Sequence, residues 1–258
     1  MESLEEIKKL VNEAKNICLI PSQHEPESTA AALALFYTLK ELGKNVNLIA
    51  ENIPETLQFL IPSLDFISSP KNFVISIPRN VADVSQVYYE KNEENLKIHL
   101  TIDKGTIKKE AISFYFADAK PDVTITLGIQ DFQKELEGKL DSFGFLLDSP
   151  VINLDINPEN KKFGQINIVE NTSLAEVTNH FSKSIYEQTT TKHMADCLLT
   201  GILLHYENFQ NPTIGPQVFE LCANLMKHGA NRQEILSNLY QPKKQEINFT
   251  QQQIVKSS

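Results

Sequence analysis

Arginine is almost missing. Only Arg79 and Arg232 occur in 258 residues, and every other basic side chain is a lysine. Arginine's planar fork is the preferred bidentate partner of phosphate and carboxylate, so its scarcity argues against a broad nucleic-acid track. The charge balance has the same meaning: 24 basic against 33 acidic residues leave −9. A protein that binds duplexes by neutralising phosphates carries the opposite sign. Cysteine is also scarce. Cys18, Cys197 and Cys222 are odd in number and far apart, with no Cys-x-x-Cys, which suggests neither a disulfide framework nor a zinc site. The longest apolar run, Ala30 to Leu39, is well short of the roughly twenty residues of a membrane span. The N-terminus, Met1 to Lys9, is a charged amphipathic start and does not read as a signal peptide. The expectation is a cytoplasmic chain with buried thiols, without membrane or long duplex nucleic acid among its partners.

What is present is enough for a real core. The chain is 41% hydrophobic, and its length allows one large domain or two small ones. Leu4, Ile7, Leu10, Val11 and Ala14 recur every three to four residues and predict a first amphipathic helix. Asn16 to Pro21 reads as a short buried strand. Ser28 to Leu42 reads as a helix ended by Gly43, apolar nearly all round at Ala30 to Phe36 and therefore covered on more than one side. Val46 to Ala50 is the next strand. This alternation is the mark of parallel βαβ units, and the fold class expected is α/β, a mainly parallel sheet flanked by helices.

Between Pro70 and Ala119 the pattern changes to strands separated by polar turns, at Phe73 to Ile77, Val84 to Glu90, Leu96 to Ile102 and Ile112 to Ala117. Residues 84–102 are expected to form a hairpin inserted at an edge of the main sheet. Val123 to Leu127, Val151 to Ile156 and Gln165 to Val169 resume the strands. The last third is helical: Ser173 with Glu176 forms a capping box, His193 to Glu207 is a long apolar helix, and Asn231 with Glu234 caps a final helix through Leu239. The expected division is one α/β domain over 1–241 and a polar tail over 242–258.

Four segments place polar residues just after buried strands or off the end of the buried helix: Ser22 to Ser28, Gly128 to Asp131, Asp155 to Pro158 and His205 to Phe209. Open α/β sheets put their ligands there, beyond the carboxyl ends of the strands. With their flanks these segments resemble the DHH phosphoesterase superfamily, which includes short-oligonucleotide ribonucleases and 3′-phosphoadenosine-5′-phosphate phosphatases. The resemblance covers most of the chain and rests on Ala32 to Lys44, Val151 to Val169, Leu198 to Ile202 and His228 to Tyr240. It implies a cluster of Asp and His holding two Mn²⁺ or Mg²⁺ ions, roughly 3.5–4 Å apart, that clamp the attacking and leaving oxygens of a phosphoryl group.

The positions that would hold those ions depart from the pattern. A His followed four and six residues on by two Asp falls on Pro21, Glu25 and Glu27 in one register; aligned on His24, it runs to Ser28 and Ala30. The Asp expected after the third core strand is Gly128. Asp155 is kept, but the two His after it are Ile156 and Asn157, and the Asp expected in the buried helix is His205. The resemblance also implies a C-terminal domain with a Gly-rich substrate motif, yet 18 residues follow Tyr240 and the chain has no Gly-Gly pair.

Each vestigial position has a plain structural reading too. His24 reads as a solvated loop residue, Glu25 and Glu27 as helix N-terminal carboxylates, Asp131 as an N-cap. Asp155 reads as an acceptor for backbone amides at a strand end, His205 as a satisfied core histidine, and Lys161 and Lys162 as solvated surface. The expected function is a degenerate, non-catalytic phosphoesterase-like protein that binds a protein partner or a small nucleotide and needs no cofactor. The first alternative is an active phosphodiesterase or phosphatase with Mn²⁺ or Mg²⁺ in a site rebuilt from Glu25, Glu27, Asp131, Asp155 and His205, with Glu27, Asp155 and His205 as the candidate metal ligands. The second is a structural subunit that makes contact through the inserted hairpin.

Overall fold

The run Val123–Leu127, made only of Val, Thr, Ile and Leu, has no strongly polar face to offer water, and the fold buries all five of its residues. A computed structural model describes residues 2–23, 25–50, 53–61, 71–118, 120–135, 149–210 and 214–240. The chain divides into two compact units, 1–67 with 121–258, and 68–120.

In the larger unit, helix α1 (Glu2–Glu13) leads into β1 (Asn16–Pro21), α2 (Pro26–Glu41) and β2 (Asn45–Leu48). A 3₁₀ turn follows at Glu55–Leu60. In the smaller unit come β3 (Lys71–Ser76), β4 (Ala82–Lys91), β5 (Leu96–Gly105) and β6 (Ser113–Asp118). The larger unit resumes with β7 (Val123–Leu127), a single turn α3 (Phe132–Glu135), β8 (Val151–Asp155) and β9 (Ile166–Val169). It ends in α4 (Leu174–Ile185), α5 (Lys192–His205), α6 (Pro216–Lys227) and α7 (Arg232–Tyr240). The main sheet is five-stranded and parallel throughout, in the order β2-β1-β7-β8-β9.

Helix α2 is buried continuously from Ser28 to Leu39, as its all-round apolarity requires. It packs against β1 on one side and against α4 and α5 on the other. The close approach of these helices depends on Gly201 in α5, where a Cβ would stand 2.9 Å from the Cβ of Ala175 in α4. Ser173 and Glu176 form the expected capping box, which starts α4. Cys18, Cys197 and Cys222 are all buried free thiols, and burial pushes the Cys222 thiol up to about 11. Among the described residues no helix is long and apolar enough to cross a membrane.

The opposite face of the sheet carries a polar row. Strand register sets Thr126 beside Asn153 and Asn153 beside Asn167, so three amide or hydroxyl side chains align across β7, β8 and β9. Beside them a small apolar cluster of Cys18, Ile20, Ile129 and Phe132 closes that face, with Phe132 stacked on Phe163.

In the smaller unit β4 and β5 form the expected hairpin, longer than foreseen at both ends. The placement at an edge of the main sheet is corrected: β4 and β5 pair with each other, β3 pairs with β6, and none joins the five-stranded sheet. The hairpin is sharply two-faced. Register places Val87, Tyr89, Lys91, Leu96, Ile98 and Leu100 on one side and Gln86, Tyr88, Glu90, Lys97, His99 and Thr101 on the other. The apolar side is open, with Tyr89 72% and Val87 68% exposed. The expected polar tail over 242–258 lies outside the described residues.

Candidate functional site

The carboxyl ends of β1, β7 and β8 converge on a cleft of about 530 Å³, lined by residues that include Ser22, Glu25, Gly128, Asp131, Asp155 and Asn157. This is where a parallel sheet opens its strand ends to a ligand. Five of the sequence-predicted positions therefore do come together: Glu25, Gly128, Asp131, Asp155 and Asn157. Glu27 and His205 pair with each other beside it and are not among the cleft-lining residues. His24 lies outside the described residues.

Asp155 is only 2% exposed, and its carboxylate is consumed from within. Oδ1 accepts the backbone N–H of Ile156 at 2.7 Å and of Asn157 at 3.3 Å, while the Asn160 amide donates to Oδ2. Asn160 also donates to the Ile129 carbonyl and accepts from Asn153, whose Oδ1 takes the Thr126 hydroxyl. Asn153 donates to Asn167 as well. The strand-end carboxylate thus terminates a buried chain of hydrogen bonds that starts in the polar row of the sheet. Asn157 turns its own Oδ1 back onto the Glu159 amide at 2.9 Å, an Asx turn.

Gly128 sits where the resemblance expects a carboxylate, and its backbone explains why none fits easily. Its φ is +68°, and a Cβ there would lie 3.3 Å from both Leu174 Cδ2 and Ser28 Oγ. The Ser28 hydroxyl donates to the Leu127 carbonyl and accepts the Ser22 N–H at 2.8 Å. A serine of α2 ties the ends of β1 and β7 together in the space a side chain at 128 would need.

Glu27 reaches from the first turn of α2 to the first turn of α4. Its Oε1 accepts the Leu174 N–H at 2.5 Å, where the helix dipole favours a negative charge, and its Oε2 stands 2.8 Å from His205 Nδ1. The hydrogen bond to Glu27 raises the His205 pKa against the lowering effect of burial, and the charges of Glu27, Glu176 and Glu25 add to the rise. Beside this pair Tyr206 donates to Glu176 at 2.9 Å. Burial would push the Glu176 carboxyl up, but hydrogen bonds from Ser173, Thr172 and Tyr206 outweigh it and hold it below its ordinary value. His205 and Glu27 together clamp α2, α4 and α5.

Asp131 accepts the Lys134 N–H at the start of α3, as an N-cap does, and its other oxygen takes the Lys161 ammonium. That hydrogen bond holds the Asp131 carboxyl below its usual range. Lys161 is a surface lysine, as expected, with its side chain 64% exposed while it pairs with Asp131. Sequence reasoning also missed Asn153, Asn160 and Asn167. The one signal available was Asn153 inside an otherwise apolar strand, since a buried amide demands partners.

The described residues at the cleft do not fit a two-metal centre. Among the described residues no group of three or more His, Cys, Asp and Glu side chains could hold a metal ion. Two-metal chemistry needs carboxylates free to coordinate, and those of Asp155 and Glu27 are occupied by donors of the chain itself.

No family model matches the sequence, and no curated protein does. Among solved structures, exonuclease RecJ bound to manganese aligns over 88% of this chain and 46% of its own, at 14% identity and a TM-score of 0.44, which is too distant to support an argument. An exopolyphosphatase-related protein from Bacteroides fragilis aligns over 95% of this chain at 14% identity, with a TM-score of 0.66. The chain spans 62% of that protein's length. The likeness is one of fold alone: a parallel α/β sheet with a cleft at its strand ends.

Proposed function

We propose that this chain is a phosphoesterase-like scaffold that does not hydrolyse phosphate esters and acts by binding a partner at its strand-end cleft. The observation that carries this reading is the internal satisfaction of Asp155 by two backbone amides and the Asn160 side chain. A metal would have to displace these donors and leave them buried and unpaired, a penalty of about 1–3 kcal/mol for each. The cleft lining adds support: with Asp131 paired to Lys161, the carboxylates of Glu25, Glu135 and Asp155 stand against one lining lysine, Lys134. Without a cation such a lining repels a phosphate group, so it favours a partner that brings a basic group over a free nucleotide.

The test is a turnover assay of the full chain with Mn²⁺ on a dinucleotide and on a nucleoside 3′,5′-bisphosphate. The expected result is no hydrolysis above background. Turnover that an Asp155→Asn change abolishes while the fold is kept would overturn the reading in favour of a rebuilt metal site.

A second reading is supported by the hairpin. A two-stranded ribbon is marginal by itself, and an open apolar face on one is a contact surface in waiting. On this reading the chain is a structural subunit that docks through Val87, Tyr89 and Ile98. It predicts concentration-dependent self-association or complex formation that a Tyr89→Lys, Ile98→Lys double change removes.

A further inference from the structure

A second cavity, of about 540 Å³, opens at the other end of the helical layer, between α2, α4, α5 and α6. Glu27 and Thr38 mark the two ends on α2, eleven residues or about 16 Å apart along the helix. The volume lies within the range of small-molecule sites. Its floor holds Asn179, in the middle of α4, which is 4% exposed. The Asn179 amide makes no hydrogen bond to any described residue, although it is turned to the cavity. A primary amide without a partner among the described residues takes its hydrogen bonds from whatever fills the space beside it, and Asn179 lines the cavity.

The rest of the lining says what would satisfy it. Thr38 and Ser182 add hydroxyls at one side, where Thr38 donates to the Ala34 carbonyl and its oxygen lies 3.4 Å from that of Ser182, leaving lone pairs on both hydroxyls to accept from a guest. Met194 and Leu198 form an apolar wall. Lys183 and Glu187, of opposite charge, both line the cavity. A primary amide beside hydroxyls and an apolar wall matches a flat, uncharged ring that carries neighbouring donor and acceptor atoms on one edge.

We propose that this cavity binds an uncharged heterocycle of the nucleobase class, as a nucleoside, with its donor–acceptor edge on Asn179 and its ring face against Met194 and Leu198. The site is separate from the strand-end cleft, and the proposal stands whatever the cleft does.

The full chain, ¹⁵N-labelled, is titrated with adenosine, with uridine and with glucose while side-chain amide resonances are followed. The expected result is saturable binding of a nucleoside with movement of the Asn179 amide signal, and no binding of glucose. Asn179→Leu and Asn179→Ala should each weaken nucleoside binding by about tenfold or more, the factor that about 1.4 kcal/mol represents, and should leave the circular dichroism spectrum unchanged. If the leucine does not fold, the smaller alanine carries the comparison. Saturation by neither nucleoside up to about 10 mM, a range that already admits very weak sites, would overturn the proposal. Glucose binding as well as a nucleoside, or variants binding like the parent, would do so too.

Discussion

The two ends of the helical layer differ in how their buried polar groups are partnered. At the carboxyl end of the sheet Asp155, Glu27 and Asp131 each accept hydrogen bonds from this chain's own amides or side chains. At the far end Asn179 has no such partner among the described residues and lines a cavity. The first end has the position expected of a ligand site in a parallel sheet, but its acceptors are spent on cohesion. The second end has no such pedigree, yet retains a hydrogen-bonding group with nothing to hold. Position in a fold and capacity for a ligand are thus separate properties, and the hydrogen-bond count decides between them.

The largest effect that tests this contrast is Asp155→Ala. It leaves the Asn160 amide and two backbone N–H groups buried without an acceptor, at an expected cost of about 3 kcal/mol in urea unfolding. A loss below about 1 kcal/mol would mean that the carboxylate is not a structural anchor. Gly128→Asp comes next. Positive φ and the contacts with Leu174 and Ser28 should cost about 2 kcal/mol, and the added carboxylate should not create Mn²⁺ binding. Restored metal binding there would erase the contrast from the cleft side.

Asn179→Leu works the other way. Replacing an unpaired amide by an apolar group of similar size should be neutral or stabilise by about 1 kcal/mol. A marked loss would show that the amide has a partner after all. The smallest effect belongs to the Glu27–His205 pair. Because Glu27 raises the folded-state pKa of His205, the stabilisation it lends is complete below the ordinary value of 6.5 and is lost as pH rises through the raised one. Thermal melts should therefore show the parent's advantage over His205→Gln greatest in mild acid and shrinking on the alkaline side. The pair is partly exposed, so the difference should stay under about 1 kcal/mol.

Much of the fold was legible because periodicity reports burial. Val123 to Leu127 is a strand with the bounds its apolar run suggested, and the Ser173 capping box forms as spelled. The hairpin's strands were legible for the same reason, from alternation at Val87, Tyr89, Ile98 and Leu100, whereas their separation from the main sheet was not. Nothing in a strand's own sequence names its neighbour, and register across 50 residues is set by packing. In the site, the identity of the strand-end residues could be read but not their partners. The Asp155 to Asn160 bond is made by a loop folding back on its own strand, and the Glu27 to His205 bond joins residues 178 positions apart. Asn179 was invisible at that stage, because one asparagine in a capped amphipathic helix reads as surface until the helices around it are placed.

The central claim, that the strand-end carboxylates are spent on the fold, is tested most directly by calorimetric titration of Mn²⁺ into the full chain. The account predicts no stoichiometric, saturable uptake, with the trace unchanged in Asp155→Asn. Tight uptake in the parent that disappears in a folded Asp155→Asn variant would contradict it.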